Sequence, residues 1–242
     1  MSIIAAYIVP HPPIILPEIG KGEERKVQKT IDSYKKIAAE IAESEPETIV
    51  ITSPHATLYA DYFHISPGRH AAGDFGQFGA RGLVISADYD EEFVQELEKT
   101  AEENNIPAGT AGERDPRLDH GTMIPLRFIQ KAWDPNKKPF KIVRIGLSRE
   151  SLLTHYDFGK CIAEVAEKLN RRTVFVASGD LSHRLKEDGP YGFVKEGPIF
   201  DQQITNIMRS GNFSEIFNLD PHLCDQAGEC GLRSFVIMAG AL

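Results

Sequence analysis

The chain is poor in cysteine, in basic charge and in long apolar runs. Cys161, Cys224 and Cys230 are the only cysteines among 242 residues. That is too few for a disulfide framework and points to a reducing, cytoplasmic compartment. Acidic residues outnumber basic ones, giving a formal net charge of −8. With no basic tract, a field of that sign argues against a nucleic-acid partner. No stretch approaches the ~20 apolar residues that a membrane-spanning helix needs, so no membrane association is expected. The apolar opening lacks a basic segment before it and ends at Pro10, so a signal peptide is not expected. Walker-type loops, dinucleotide fingerprints, internal repeats and low-complexity linkers are also missing. Asp74-Phe75-Gly76 matches a kinase triplet but lacks the accompanying glycine loop and catalytic loop.

What is present is the patterning of one α/β domain over residues 1–242. The hydrophobic share of 41% and charged share of 26% are ordinary for a globular chain. Residues 3–9, 48–52, 141–147 and 173–177 read as short buried strands, with another at 84–86. Helices are expected at 22–44, where Val27, Ile31, Tyr34, Ile37 and Ile41 share a face, and at 90–104 and 155–170. Others follow near 121–133 and 198–210 and from 229 onward, whereas the glycine-rich 66–82 reads as a surface loop. Such alternation predicts a mostly parallel or mixed central sheet with helices on both faces. The last residues, 232–242, are apolar and stop without a cap, as if a further domain followed.

Three of the eight histidines stand just beyond an apolar strand: His11, His55 and His183. In open α/β sheets, ligands bind beyond the carboxyl ends of the strands, so these three are placed to share one crevice. Pro10-His11-Pro12-Pro13 and Ser53-Pro54-His55 stiffen the backbone around two of them. Such stiffness serves a metal ligand, which must be held within a fraction of an ångström. Glu229, in Gly228-Glu229-Cys230-Gly231, reads as opening the last helix, where a carboxylate is favoured by the helix dipole. Two imidazoles and one carboxylate form the facial triad that leaves positions open on Fe(II).

Together with Asp119-His120-Gly121 and Gly179-Asp180-Leu181-Ser182-His183, these motifs resemble the class III extradiol dioxygenase B-subunit (LigB-like) family over nearly the whole chain. The sequence is also similar to the dioxygenase-like domain at the front of the AmmeMemoRadiSam system protein A family, which is related to Memo. In that family an AMMECR-type domain follows, in keeping with the apolar terminus. The resemblance implies that His11, His55 and Glu229 ligate iron, that His183 is the catalytic acid and base, and that His120 contacts substrate. Memo-type proteins use a cysteine in place of the glutamate. Cys230 is adjacent, and Glu229 is preferred because carboxylate suits Fe(II) while thiolate favours Zn or Cu(I). Asp180 reads as a turn former beside the site, with orientation of His183 as the alternative.

The expected activity is cleavage of a catechol-type ring by O₂, with a small aromatic diol as substrate and His183 moving the proton. Phe75 and Phe78 would cover the substrate. Two rivals stand beside it: a Memo-like metal-binding accessory of a radical-SAM-linked system, and a Zn-dependent hydrolase. A homodimer is the default oligomer. His64 and His70 read as exposed loop histidines, His155 as decoration of a helix start, and Cys161 as core. His222 with Cys224 and Cys230 fits no structural zinc spacing.

Overall fold

The computed structural model describes residues 2–242. Strand β1 (Ile3–Val9) leads through the short helix α1 (Pro17–Gly20) to α2 (Gln28–Ser44) and strand β2 (Thr48–Ser53). An excursion follows, made of β3 (Phe63–His64), β4 (His70–Phe75), β5 (Ala80–Asp88), helix α3 (Glu91–Glu103) and β6 (Ala108–Gly109). Helix α4 (His120–Ala132), β7 (Lys141–Gly146), α5 (Leu152–Lys168) and β8 (Thr173–Ser178) then alternate. Helices α6 (Glu196–Ser210), α7 (Pro221–Ala227) and α8 (Leu232–Ala241) complete the fold.

Four strands make one parallel sheet in the order β1-β8-β2-β7. Its two central strands are buried at every position, as required of a sheet covered on both faces. Side-chain alternation divides the core in two. Ile49, Ile51, Val174 and Val176 meet α2, α4 and the antiparallel pair β4–β5. Val50, Val143, Phe175 and Ala177 meet α3, α5, α6 and α8. The single α/β domain with helices on both faces is therefore the observed architecture. No helix among the described residues is long and apolar enough to cross a membrane.

Several boundaries depart from the sequence reading. Residues 66–82, expected to be a loop, hold β4 and the start of β5, paired from His70↔Asp88 to Phe75↔Ala80. Ala71 and Gly73 fill two of the three inward positions of β4, before Phe75, and their low strand propensity masks the period of two. The helix expected from 22 begins at Gln28, because Glu23–Val27 buries no residue and tightens into 3₁₀ turns. Helix α7 was not expected; Asp220 caps it by accepting from the His222 N–H, with Pro221 in its first turn.

Helices α5 and α8 touch almost backbone to backbone. A Cβ added at Gly159 would lie 2.1 Å from the Ile237 carbonyl oxygen, and one at Gly240 would lie 1.9 Å from that of Tyr156. Neither neighbour is a flexible side-chain end, so the helices themselves would have to part. Gly240→Ala is expected to destabilise the fold by about 1–3 kcal/mol through overpacking, read from the urea midpoint at unchanged slope. An unaltered midpoint would contradict this contact.

Candidate metal centre

The sheet register brings the site together. Val9 pairs with Ser178 and Thr52 with Ala177, so β1, β8 and β2 end level with one another. His11 and His55 each follow two residues beyond a strand end. Their Nε2 atoms lie 3.0 Å apart, with ring centres separated by 4.8 Å at 83°. His120, the first residue of α4, sets its ring centre 4.0 Å from that of His55 and 5.5 Å from that of His11. One ring nitrogen from each of the three lies within 4.8 Å of the other two.

Two serines at the strand ends hold this arrangement. The Ser178 hydroxyl donates to the Gly121 carbonyl at 2.6 Å, so its proton is committed. The 2.9 Å contact from His11 Nδ1 to Ser178 Oγ must then have the ring N–H as donor. That fixes the His11 tautomer and leaves the Nε2 lone pair facing His55, the arrangement a metal-ligating histidine shows. On β2, Ser53 Oγ donates to Asp119 Oδ1 at 2.6 Å and accepts from the His55 N–H at 3.2 Å. Asp119 caps α4 through the Thr122 N–H and holds Arg144 at 3.1 Å, both charges being almost fully buried. Burial alone would raise the Asp119 pKa, but Arg144 and the Ser53 and Thr122 donors hold it below the usual carboxylate value. Arg144 is legible as a charge flanked by apolar residues inside strand β7, whose other charge, Lys141, stands exposed at the strand's first position.

On the other side of His11 stand Asp180, His183 and Cys230. Asp180 Oδ1 accepts from the His11 backbone N–H at 2.8 Å, and its Oδ2 lies 3.4 Å from His183 Nε2. Asp180 thus acts as more than a turn former, and its place three residues before His183 was the available signal. The Cys230 sulfur sits 3.7 Å from His11 Nε2 and 3.9 Å from His183 Nε2, and accepts from the Asp180 N–H at 3.2 Å. His11, Asp180 and Cys230 form a second donor set sharing His11 with the first. Glu229 is in neither set. Its carboxylate turns to the Leu232 N–H at 2.6 Å, at the start of α8, which begins at Leu232 rather than at 229. A close approach sets this orientation: a Cβ at Gly179 would lie 2.2 Å from the Gly231 Cα, so the 228–231 turn packs directly on the end of β8.

The electrostatics divide the donors by role. Burial pushes His11 down to about 4 and, with help from His55 and His11, does the same to His120; it lowers His55 too. Three imidazoles held towards the neutral form, with one ring nitrogen of each within 4.8 Å of the others, offer donors to a cation. His183 goes the other way, to about 10, because Asp180 and then Cys230 hydrogen-bond its ring. Its Nδ1–H donates to the Gly228 carbonyl at 2.5 Å. Protonated at neutral pH, it can deliver a proton at Nε2.

The separations of His11 from His55 and from Cys230 fit a shared ion, and the His120 nitrogen lies within 4.8 Å of those of His11 and His55. Nitrogens at ~2.0–2.1 Å and a sulfur at ~2.3 Å from a tetrahedral zinc lie roughly 3.3–3.6 Å from one another, close to the 3.0 and 3.7 Å seen here. Phe78 packs its edge 5.1 Å from His120, while Phe75 is buried in the core and covers no substrate. Tyr191, 5.2 Å from His183, flanks the opposite side. The remaining histidines lie elsewhere. His70 is exposed against Asp88. His64 is buried 3.9 Å from Glu113, not on a loop surface. His155 is fully buried, its Nδ1 on the Ser151 carbonyl, so it is a core residue rather than decoration. Cys161 is core as expected.

Comparison with known proteins agrees with this architecture. Protein CA_C1420 of Clostridium acetobutylicum is 38% identical over the whole chain, and the chain spans about half the length of that relative (52%). The 3,4-dihydroxyphenylacetate 2,3-dioxygenase of Escherichia coli is 25% identical over 99% of this chain and 89% of its own length. A MEMO1 family protein of Methanocaldococcus jannaschii is 29% identical over 62% of this chain and 47% of its own. Among solved structures, an uncharacterized Escherichia coli K12 protein shares the fold with a TM-score of 0.53 at 15% identity, over 86% of this chain and 81% of that one. The family model described as the catalytic LigB subunit of aromatic ring-opening dioxygenase matches residues 5–242, and the chain belongs to that family.

Proposed function

We propose that this chain binds one transition-metal ion through His11 and His55, with His120 as third ligand, and uses it to open a small aromatic diol with O₂. The observation that carries the reading is the pair of Nε2 atoms 3.0 Å apart, one with its tautomer fixed by Ser178. A dihydroxyphenylacetate dioxygenase aligning over 99% of the chain supports the substrate class. His11, His55 and His120 would hold an Fe(II) ion, for which imidazole is a suitable donor, and the ion would supply the Lewis acidity and O₂ chemistry that diol cleavage needs. His120 moves in this reading from substrate contact to ligand, and Glu229 from ligand to helix cap.

His183 is the residue that handles the proton. Its Nδ1–H is held by the Gly228 carbonyl, so exchange runs through Nε2, with Asp180 stabilising the imidazolium. Phe78 packs against His120 on one side and Tyr191 against His183 on the other, flanking the rings with aromatic surface.

A second reading has its own support. The Cys230 sulfur faces His11 Nε2, and MEMO1 family proteins are among the relatives. A thiolate in the donor set favours Zn or Cu(I) over Fe(II). In that reading the chain is a Memo-like metal-binding protein without ring-opening turnover.

Metal content and turnover separate these readings. His11→Ala and His55→Ala are each expected to lose bound metal in elemental analysis of protein reconstituted with Fe(II) under anaerobic conditions. Full metal in both would contradict the centre. His120→Ala is expected to lose metal and Cys230→Ser to retain it; the reverse outcome establishes the sulfur-ligated reading. Glu229→Gln should keep its metal, and loss would return the glutamate to the ligand set.

Oxygen uptake with a catechol panel tests the chemistry. Iron-loaded protein should consume O₂, and His183→Ala should keep its metal while turnover falls by ~10²–10⁴. Metal bound without uptake on any diol would favour the Memo-like reading.

A further inference from the structure

A cavity of about 490 Å³ opens beside the histidines, lined among others by His55, His120, Asp74, Arg114, Arg117 and Arg144. We propose that Arg114 anchors the carboxylate of a ligand whose other end reaches His55 and His120. The inference rests on the reading of the centre as a diol site and specifies which diols it takes.

Two of the three guanidinium groups are already committed. Arg117 grips Asp115 with Nε at 2.9 Å and Nη2 at 2.7 Å. Arg144 holds Asp119 through Nε and Nη2, both at 3.1 Å. Arg114 has no carboxylate within 4 Å among the described residues. Its guanidinium carbon lies 4.5 Å from the centre of the Tyr59 ring. A guanidinium laid on an aromatic face keeps its in-plane N–H donors uncommitted while losing much of its rotational freedom. Tyr59 is fixed in turn: its hydroxyl donates to the Gly112 carbonyl, and its own carbonyl accepts from the Arg149 N–H at 3.2 Å. The result is a cation with free donors and a fixed support at the wall of the cavity.

Formal charge around the cavity balances, because Asp74, Asp115 and Asp119 offset the three arginines. Anions therefore gain nothing from the cavity as a whole. Asp74 is turned to the Gly76 N–H at 2.6 Å and lies in the field of Arg117, so it does not neutralise Arg114. Binding is gained only by a ligand that puts its negative group at Arg114, and a planar carboxylate matches the two-pronged donor edge. The volume falls within the range of small-molecule sites and extends from the imidazoles to Arg114. A bare catechol would leave the arginine end empty.

Calorimetric titration of the zinc-loaded full chain with 3,4-dihydroxybenzoate, its methyl ester and benzoate tests the assignment. The acid should bind about 10-fold or more tighter than the ester, the scale of one charge-assisted contact. Arg114→Gln should abolish that preference without changing ester affinity, and Arg114→Lys should keep part of it. Acid and ester binding equally to the wild type, or a preference surviving in Arg114→Gln, would overturn the Arg114 assignment and leave the diol reading standing. Benzoate binding as tightly as the dihydroxy acid, and lost in Arg114→Gln, would overturn the diol reading and leave Arg114 standing. Failure of all three ligands would overturn both.

Discussion

One hydroxyl group, that of Ser178, ties the site together. It ends β8, passes its proton to the Gly121 carbonyl at the start of α4, and takes the ring N–H of His11 from beyond β1. Three separate segments are thereby locked to a single oxygen. Because the hydroxyl has only one proton to give, the direction of the chain of hydrogen bonds is settled, and with it the free nitrogen of His11. The parallel register makes this possible by bringing the ends of β1, β8 and β2 level.

Below that oxygen lies a buried ion pair that costs energy to keep. Arg144 and Asp119 are both withdrawn from water, and such pairs seldom repay their desolvation through attraction alone. What the pair secures is position. Asp119 caps α4 and receives Ser53, which in turn supports the His55 backbone, so the placement of both His55 and His120 depends on a single carboxylate. Removing Arg144 would leave that carboxylate buried without a counter-charge, with only the Ser53 and Thr122 donors, a loss of about 3–5 kcal/mol by the usual scale.

Much of this was legible in the sequence. Strands ending in Pro-flanked histidines announced His11 and His55, and the Gly-Asp-x-x-His segment announced His183. These residues sit at strand ends, where periodicity reads well and side-chain direction follows from the sheet. The choice between Glu229 and Cys230 was not legible, because both lie in a turn whose orientation depends on the Gly179–Gly231 contact between segments 52 residues apart. Sequence spacing carries no trace of such an approach. The β4–β5 pair is hidden for a different reason: Ala71, Gly73 and Ala87, among its inward residues, have little strand propensity apart from their partner strand. A turn-forming aspartate such as Asp180 and one that clamps a histidine look alike in sequence until the partner is in place.

The central claim is that imidazoles from His11 and His55 close on one ion. X-ray absorption at the zinc edge of the loaded protein measures this directly. The account requires nitrogen scatterers at about 2.0–2.1 Å with the outer-shell signature of at least two imidazole rings. A first shell of oxygen alone, without imidazole scattering, would contradict it.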